Sequence, residues 1–597
     1  MRRMLERALS VAVESALQAG ARLRADFHRP GGPRGGGDKA DADTEAEREI
    51  RSRLTAAFPR WGYRGEETGV QPGEPGEPIW LVDPNDGTRD YLAGRRGSAV
   101  SIGLLREGRP VLGVVFAFAY PDDAGDLFTW AEGTGPLRRN GRPVESALSG
   151  PLRSTDVVLV SSKGDLDPEG NLHNAAPARY RSLPSVAHRL AVVASGEAAA
   201  ASSLFSPCAW DYGAGDALLR AAGGCVLDES GREVAYDRTG DSRSRRVVGG
   251  APEVAARLSE RPWDVHAGAW GPERPARLRR GEAVADAARL ARAQGCLLGQ
   301  VAGDSLGALV EFQSADEVRR AYPDGPRQLV DGGRWDLLAG QPTDDSEMAL
   351  ALARSIEGSG GYDPGRAFEA YQRWRASGPF DVGNTVSAAL QSRPDDGSQA
   401  NGSLMRASPL GILGHRMPVN EAADLARIDS ALTHPNPVCG DSVAAFVVAV
   451  AHAIDHGDGG EAAYEAALGW ARQAPAVPPV REALEAARHA APKCDGVSQG
   501  WVLLALQNAF HEVRHARSVE DGLARTVLRG GDTDTNAAIA GALLGAVHGR
   551  EGVPARWRSM ILSCHPLAAV ARHPRPMAYW PVDVMELAER LLLAGER

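Results

Sequence analysis

The pattern of hydrophobic and polar positions changes its period once along the chain, and that change divides it. Through about residue 255 the patterns are mixed. Residues 5–27 and 43–57 carry apolar positions at helical spacing, separated by the Gly/Pro-rich loop HRPGGPRGGGDKAD. Short apolar runs of strand type follow. PIWLVD spans 78–83, SAVSIGLL and PVLGVVFAFAY flank the turn Glu107-Gly108-Arg109 as a β-hairpin, and VVLVSS spans 157–162. WDYGAGDALLRAAGG reads as a helix stopped by Gly223-Gly224, with the strand CVLD behind it. Strands interleaved with helices predict an α/β unit, an α+β layered sandwich.

Beyond residue 285 the period becomes helical almost throughout. Ala/Leu-rich segments at 284–300, 346–357, 364–376, 420–432, 442–455, 460–473, 480–490, 500–513, 519–527, 535–548 and 582–594 predict an all-α unit. They show no fixed repeat, which argues against a solenoid. Between the halves, SERPWDVHAGAWGPERPARLRRGEA has no apolar period. The expected organisation is an α/β unit at 1–257, a linker at 258–285 and a helical unit at 286–597.

Composition adds a few limits. A chain of 597 residues accommodates two or three domains. Net charge is −10 and no basic block occurs, so neither a nucleic-acid partner nor an anionic membrane surface is expected. Lys stands only at positions 39, 163 and 493, an Arg bias that fits a GC-rich bacterial genome. The six cysteines are scattered with no CxxC pair, as free thiols of a reducing compartment would be. Glu6, Arg7 and Glu14 interrupt the first segment, so it reads as an amphipathic helix rather than a signal peptide. No uninterrupted apolar run of about 18 residues predicts a membrane span, and a cytoplasmic location is expected.

Candidate chemistry begins at WLVDPNDGTRDYLAG, residues 80–94. Asp83 ends a strand, Pro84 stiffens the turn, and Asp86 stands three residues on. Gly87-Thr88 then open a short helix, where free N–H groups and a missing side chain favour an anion. Carboxylates this close repel unless a proton or cation lies between them. All-oxygen ligands favour Mg²⁺ over zinc. Upstream stands Gly65-Glu66-Glu67, and downstream Trp210-Asp211 opens the helix ended by Gly-Gly.

These motifs, in this order and spacing, resemble the inositol monophosphatase family over about residues 5–250. That family also includes fructose bisphosphatases, bisphosphate nucleotidases and NADP phosphatases. The resemblance implies Mg²⁺-dependent phosphomonoester hydrolysis. Glu66, Asp83, Asp86, Asp211 and the main-chain carbonyl of Asn85 would hold metal, and Gly87 and Thr88 would hold phosphate. Glu66 and Thr88 would orient the attacking water. Two departures stand out. The segment DKADADTEAE is a shortened version of the family's pattern, though Asp41, Asp43 and Glu47 remain. Leu204 occupies the position where inositol phosphatases carry a Glu that reads an inositol hydroxyl.

The helical half holds a second pair of acidic stretches, PTDDSEMALALARSI and RGGDTDTNAAIAGALLGAVHG. Asp344 and Asp345 lie in the first turn of a helix whose Met348, Leu352 and Ile356 form an apolar stripe. Acids there are favoured by the helix dipole in any case. Together with GCLLGQVAGDSLGALVEF, SGPFDVGNT, NGSLMRASPLG and LTHPNP, these stretches resemble the ADP-ribosylglycohydrolase family over about 290–550. The resemblance implies an orthogonal helical bundle with two Mg²⁺ ions, Mn²⁺ being an alternative. Thr343, Asp344, Asp345, Asp532, Asp534 and Thr535 are the implied ligands, and Glu311 contacts metal or the distal ribose. Asn401, Gly402, Ser403, Met405 and Arg406 would line the diphosphate and ribose, and His434 would approach the ADP-ribose or simply support a His-Pro turn. Asp304 reads first as a helix cap.

The sequence therefore predicts a bifunctional Mg²⁺-dependent hydrolase with two ions per domain. One unit would cleave an ADP-ribosyl glycosidic bond at ribose C1″ and the other a phosphomonoester. The partners are a small phosphate ester and an ADP-ribosylated protein or metabolite. A phosphorylated ADP-ribose would carry both bonds. Two alternatives stand beside this: a glycohydrolase with an inactive or regulatory phosphatase-like unit, and a non-catalytic ADP-ribose-binding protein.

Overall fold

In the computed structural model, which describes residues 2–263, 281–473 and 476–596, the chain forms two units. The first comprises residues up to 263 together with 281–285, and the second begins at Asp286. Of the segment read as a linker, 264–280 lies outside the described residues. At its ends Leu258, Trp263 and Val284 are buried in the first unit.

The first unit is layered helix–sheet–helix–sheet–helix. Its larger sheet has eight strands in the spatial order Arg142–Pro143, Arg138–Arg139, Asp126–Ala131, Arg109–Ala117, Ala99–Arg106, Ile79–Asp86, Gly62–Gly65, Gly69–Gln71. Every neighbouring pair is antiparallel except Gly62–Gly65 beside Ile79–Asp86. Helices Arg2–Phe27 and Asp41–Ala57 cover one face with Ala12, Ala16, Ala19, Leu23, Ile50 and Leu54 buried. Helices Val186–Ala194 and Ala209–Ala221 fill the space between this sheet and a second, mixed sheet of five strands. The strands and helices expected from the sequence lie here. The helix Val186–Ala194 was not anticipated, because its run of buried residues shows no amphipathic period.

Two details aim the first set of carboxylates. The strand Ile79–Asp86 pairs in regular register to Asp83 opposite Ser101, then slips before Asp86 opposite Ala99. A bulge of this kind re-aims side chains at a strand end. The helix Ala209–Ala221 lies flat on the sheet because Gly103 and Gly113 leave no side chain beneath Ala214. Ser101 Oγ donates to the carbonyl of Trp210 at 2.9 Å, which fixes where that helix starts.

The second unit is all helical apart from isolated bridges. At its centre the helices Ala287–Gly307 and Thr533–Gly552 cross with their backbones in contact. Gly295, Gly299, Gly303 and Gly307 recur every fourth residue on one face. A Cβ added to any of them would collide with the main chain of the partner helix at Gly545, Gly541, Ala537 and Thr533 respectively. Thr533 Oγ1 donates to the carbonyl of Gly307 at 2.7 Å, locking the register where the acidic residues begin. The helix Pro437–His456 is long and apolar enough to cross a membrane by length and composition, but it is mostly buried as a core helix of this unit. Asp441 and Asp455 break its apolar run in the sequence.

Replacing Gly299 by Val puts three carbons where the Gly541 carbonyl sits. Thermal or denaturant unfolding should show a loss of at least about 2 kcal/mol from this overpacking. Gly358→Val, at a position with open space around it, should cost far less.

Candidate active sites

In the first unit the predicted residues converge from four elements. Asp83 and Asp86 come from the strand end, Glu66 from the turn after Gly62–Gly65, Asp211 from the first turn of Ala209–Ala221, and Thr88 from the start of Thr88–Leu92. Each of the three aspartates is tethered by a neutral donor. Asn85 N–H donates to Asp83 Oδ1 at 2.8 Å, and Cys208 N–H donates to Asp211 Oδ2 at 2.8 Å. Ser185 Oγ and Ala187 N–H donate to Asp86 Oδ2 at 2.6 and 2.7 Å. Asp86 thus caps the helix Val186–Ala194 from outside.

No cationic side chain lies within ion-pair distance of Asp83, Asp86 or Asp211 among the described residues, and their proton affinities show the strain. Burial, then the charges of Glu66, Asp86 and Asp211, hold Asp83 well above the usual carboxylate range. Burial, then Asp86 and Glu66, do the same to Asp211. Asp86 is raised by burial against the pull of Ser185, Ala187 and the charge of the buried Arg189. Glu66 keeps an exposed edge, yet desolvation of its carboxyl and the charges of Glu67, Asp86 and Asp43 raise it to about 7.

Sequence reasoning passed over Asp43 as a site residue. It lies in the first turn of Asp41–Ala57, almost fully buried, and accepts from Asn85 Nδ2 at 2.9 Å and Thr88 Oγ1 at 3.1 Å. Thr88 Oγ1 also lies 3.0 Å from the Asn85 carbonyl. Burial raises Asp43 to about 7. Asp41 is exposed, and Glu47 instead accepts from the backbone of Glu67 and Thr68. Gly87 takes φ +99°, and a side chain there would press on Pro184 and Ser98.

In the second unit the acids sit at two helix starts. Thr343 is the N-cap of Asp344–Ser359, and Asp532 is the N-cap of Thr533–Gly552. Gly383 N–H donates to Asp344 at 3.2 Å, and Asn401 Nδ2 donates to Asp532 at 2.6 Å. Asp304 is a cap, but of a different helix from its own. It accepts from Thr343 N–H and Ser346 N–H, each at 3.1 Å, and so aims the Asp344–Asp345 turn. Asp345 Oδ1 is buried with no hydrogen-bond partner. Burial, followed by Asp344, Asp304 and Asp532, raises the Asp345 carboxyl well above its ordinary value. Burial, followed by Glu311, Asp345, Asp532 and Asp304, raises Asp534 likewise.

Among the described residues, Glu311, Asp381 and Asp534 each bring one oxygen within 4.8 Å of the other two. Glu311 is fixed by Trp335 Nε1 at 2.6 Å and is raised to about 8 by burial and by Asp381. Asp381, in PFDVG, carries no local spacing signal, and only the fold brings it to Glu311. Thr535 stands beside Asp534, buried at the same helix start.

The loop Asn401–Arg406 divides. Asn401 reaches Asp532, but Arg406 is turned inward and fully buried, which corrects its assignment to the substrate. Its guanidinium donates to Asp429 and Thr433 and lies over the Tyr371 ring. Ser403 and Met405 are buried as well, the first bonded to Ser430 and the second, through its carbonyl, to Gln300. His434 packs against Gly402 with Nδ1 2.9 Å from Thr433 Oγ1. Burial, and then the Arg406 charge, lower it to about 3, so it is neutral and supports the loop.

Oxygen-only donors, raised carboxyls and an orphaned Asp345 oxygen all suit hard divalent cations such as Mg²⁺. Fold and sites together define a chain of two hydrolase units. The chain belongs to the ADP-ribosylglycohydrolase family, whose model matches residues 285–595, and its first unit belongs to the inositol monophosphatase family, matched over residues 4–266. Over 282 residues it is 33% identical to the ADP-ribosyl-[dinitrogen reductase] glycohydrolase of Rhodospirillum rubrum, covering 45% of this chain and 90% of the relative. Over 242 residues it is 34% identical to the inositol-1-monophosphatase of Mesorhizobium japonicum, covering 38% of this chain and 88% of the relative. It is also 28% identical over 286 residues to the ADP-ribosylarginine hydrolase Tri1 of Pseudomonas putida, covering 45% of this chain and 73% of that protein.

The raised carboxyls set the pH response of the metal-free protein. Folded Glu66, Asp43 and Glu311 hold protons up to about 7, 7 and 8, whereas their ordinary values are 4.5, 3.8 and 4.5. Between those limits the folded state binds more protons than the unfolded state, so stability falls as pH rises. Without metal, Tm should drop between about pH 5 and pH 8, and added Mg²⁺ should raise Tm most at the upper end. Asp345→Asn should raise the metal-free Tm while weakening the Mg²⁺ response.

Proposed function

We propose that the chain is a bifunctional Mg²⁺-dependent hydrolase. The second unit cleaves the ADP-ribosyl glycosidic bond at C1″, and the first hydrolyses a phosphomonoester. The observation that supports this is the pair of mostly buried, oxygen-only carboxylate clusters, in which Asp83, Asp86, Asp211, Asp344, Asp345, Asp532 and Asp534 make no ion pair with a basic side chain among the described residues. Mutually repelling acids of this kind are relieved by a bound divalent cation, the group that metal-assisted hydrolysis requires.

In the first unit Glu66, Asp83, Asp86, Asp211 and the Asn85 carbonyl would hold the metal. Gly87 and Thr88 would receive the phosphate. When bound, the ions neutralise phosphate charge and acidify the attacking water. Thr88, held by Asp43, orients that water, and Asp43 is placed to take its proton as oxygen attacks phosphorus. The ester P–O bond breaks, and the proton returns to the departing alcohol. Leu204 removes the acid that reads an inositol hydroxyl, which favours a substrate other than inositol phosphate.

In the second unit Thr343, Asp344, Asp345, Asp532, Asp534 and Thr535 would hold the metals, with Glu311 beside them. Asn401 positions Asp532 from the loop that faces the site. Water adds at the anomeric carbon, the bond to the acceptor breaks, and the acceptor leaves with a proton. The name of the P. putida relative makes ADP-ribosylarginine the first linkage to test. A phosphorylated ADP-ribose would be a substrate for both units.

The test is to supply the full chain and Mg²⁺ with ADP-ribosylated substrates and phosphomonoesters, reading ADP-ribose and phosphate separately. Asp532→Ala should cut ADP-ribose release more than about a hundredfold, beyond what loss of a ligand's hydrogen-bond partner costs, and leave phosphate release intact. Asp83→Ala should do the reverse. Phosphate release absent from the unaltered chain on every ester would leave the first unit as a scaffold.

A further inference from the structure

Between the helices Ala555–Leu562 and Val584–Gly595 the second unit carries an irregular stretch with one short helical turn, Met577–Tyr579. It lies beyond the motifs that carry the family resemblance, yet it reaches the acidic helix start. Arg575 is buried there. Its guanidinium donates to both oxygens of Glu347 at 2.7 and 2.9 Å, and to the carbonyl and hydroxyl of Ser377 at 3.1 and 2.7 Å. Glu347 shares the first turn of Asp344–Ser359 with Asp344 and Asp345, and Trp374 Nε1 donates to it at 2.8 Å. Ser377 precedes the short loop that carries Asp381 and Gly383, and Gly383 N–H donates to Asp344. One guanidinium therefore ties the metal-binding helix to the root of the Asp381 loop.

A second contact reaches the same loop. The His573 ring lies 4.7 Å from the Phe380 ring at 30° between planes, and Phe380 lies 5.9 Å from Trp335, whose Nε1 holds Glu311 at 2.6 Å. The His573 main chain is itself fixed, because its carbonyl accepts from Gln341 Nε2 at 2.7 Å. Phe380 adjoins Asp381, and Glu311, Asp381 and Asp534 bring oxygens within 4.8 Å of one another. A row of three rings thus runs from the partner of Glu311 past the neighbour of Asp381. Packed rings hold their separation, and the planar fork of an arginine fixes direction as well as charge. We infer that the stretch 563–583 is a strap whose Arg575 and His573 are positioning residues for Asp381, keeping its carboxylate with those of Glu311 and Asp534. This deepens the glycohydrolase reading and rests on it for the reaction, while the placement of Asp381 is read through metal binding as well.

The full chain carrying Asp83→Ala, which weakens the first unit's site, is compared with the same chain bearing His573→Ala, His573→Phe or Arg575→Lys. Mg²⁺ affinity is measured by calorimetric titration, folding by Tm, and ADP-ribose release from ADP-ribosylarginine gives kcat and KM. Loss of a residue that orients a metal-binding group predicts Mg²⁺ affinity weaker by about tenfold or more in His573→Ala. His573→Phe should recover most of it, because the ring contact with Phe380 returns. Arg575→Lys should weaken Mg²⁺ similarly, since an ammonium keeps the charge but not the fork. The kcat for ADP-ribose release should fall in step, with KM little changed. Mg²⁺ affinity unchanged in His573→Ala, or lowered equally in His573→Phe, overturns the strap. Should Arg575→Lys fail to fold, the two His573 variants decide alone. Absence of ADP-ribose release from every substrate before these changes are made would overturn the glycohydrolase reading instead, and the Mg²⁺ affinities would still decide the strap.

Discussion

Mutual repulsion between buried carboxylates is the constraint on which the rest of this protein is arranged. Each unit folds so that several acids meet largely away from water, and among the described residues the aspartates that would hold metal make no ion pair, although the buried Arg189 lends its charge to Asp86 from a distance. Such clusters tend to hold protons or attract cations. Their tethers are neutral donors: Asn85 N–H, Cys208 N–H, Ser185 and Ala187 in the first unit, Gly383 N–H and Asn401 in the second. A neutral donor fixes an acid without consuming its charge. Elsewhere the same chain buries Glu347 against Arg575 and Asp429 against Arg406 as direct ion pairs, a contact that the site aspartates Asp83, Asp86, Asp211, Asp345 and Asp534 do not make among the described residues.

The two units reach this arrangement through unrelated scaffolds. In the first, a bulge at a strand end separates Asp83 from Asp86, and glycines beneath Ala214 let the Asp211 helix approach the sheet. In the second, a four-residue glycine ladder lets two helices touch along their backbones, and the acids occupy helix starts at the end of that seam. Small residues do the positioning in both, because only a missing side chain permits main chain to meet main chain. Carboxylate clusters of one kind therefore occur on two folds, and similarity of fold alone would not have linked them.

Supporting residues differ from contacting ones in ways that matter to function. Asp304 accepts from Thr343 and Ser346 and so orients the Asp344–Asp345 turn without belonging to it. Arg406 and His434 hold the Asn401 loop from behind, one as a buried ion pair and one as a neutral ring. Trp335 fixes Glu311, and its ring faces Phe380, the residue before Asp381, at 5.9 Å between centroids. Removing such a residue would alter the geometry of acids it never exchanges protons with.

The sequence by itself determined the division into a mixed and a helical half, most of the helices, and the local acidic motifs. These are short-range properties: period, capping and turn chemistry act over a few residues, so DPNDGT and TDDS are legible where they stand. Tertiary structure decided which distant residues join them. Asp43 reaches Thr88 only because its helix packs across the large sheet, and Asp381 reaches Glu311 only because its loop folds over the crossing helices. Arg406, which looks from its motif like a phosphate ligand, became a core ion pair because Asp429 and Tyr371 enclose it. Whether a charged side chain faces a substrate or the interior depends on what packs around it, and that is a property of contacts between residues far apart in the chain.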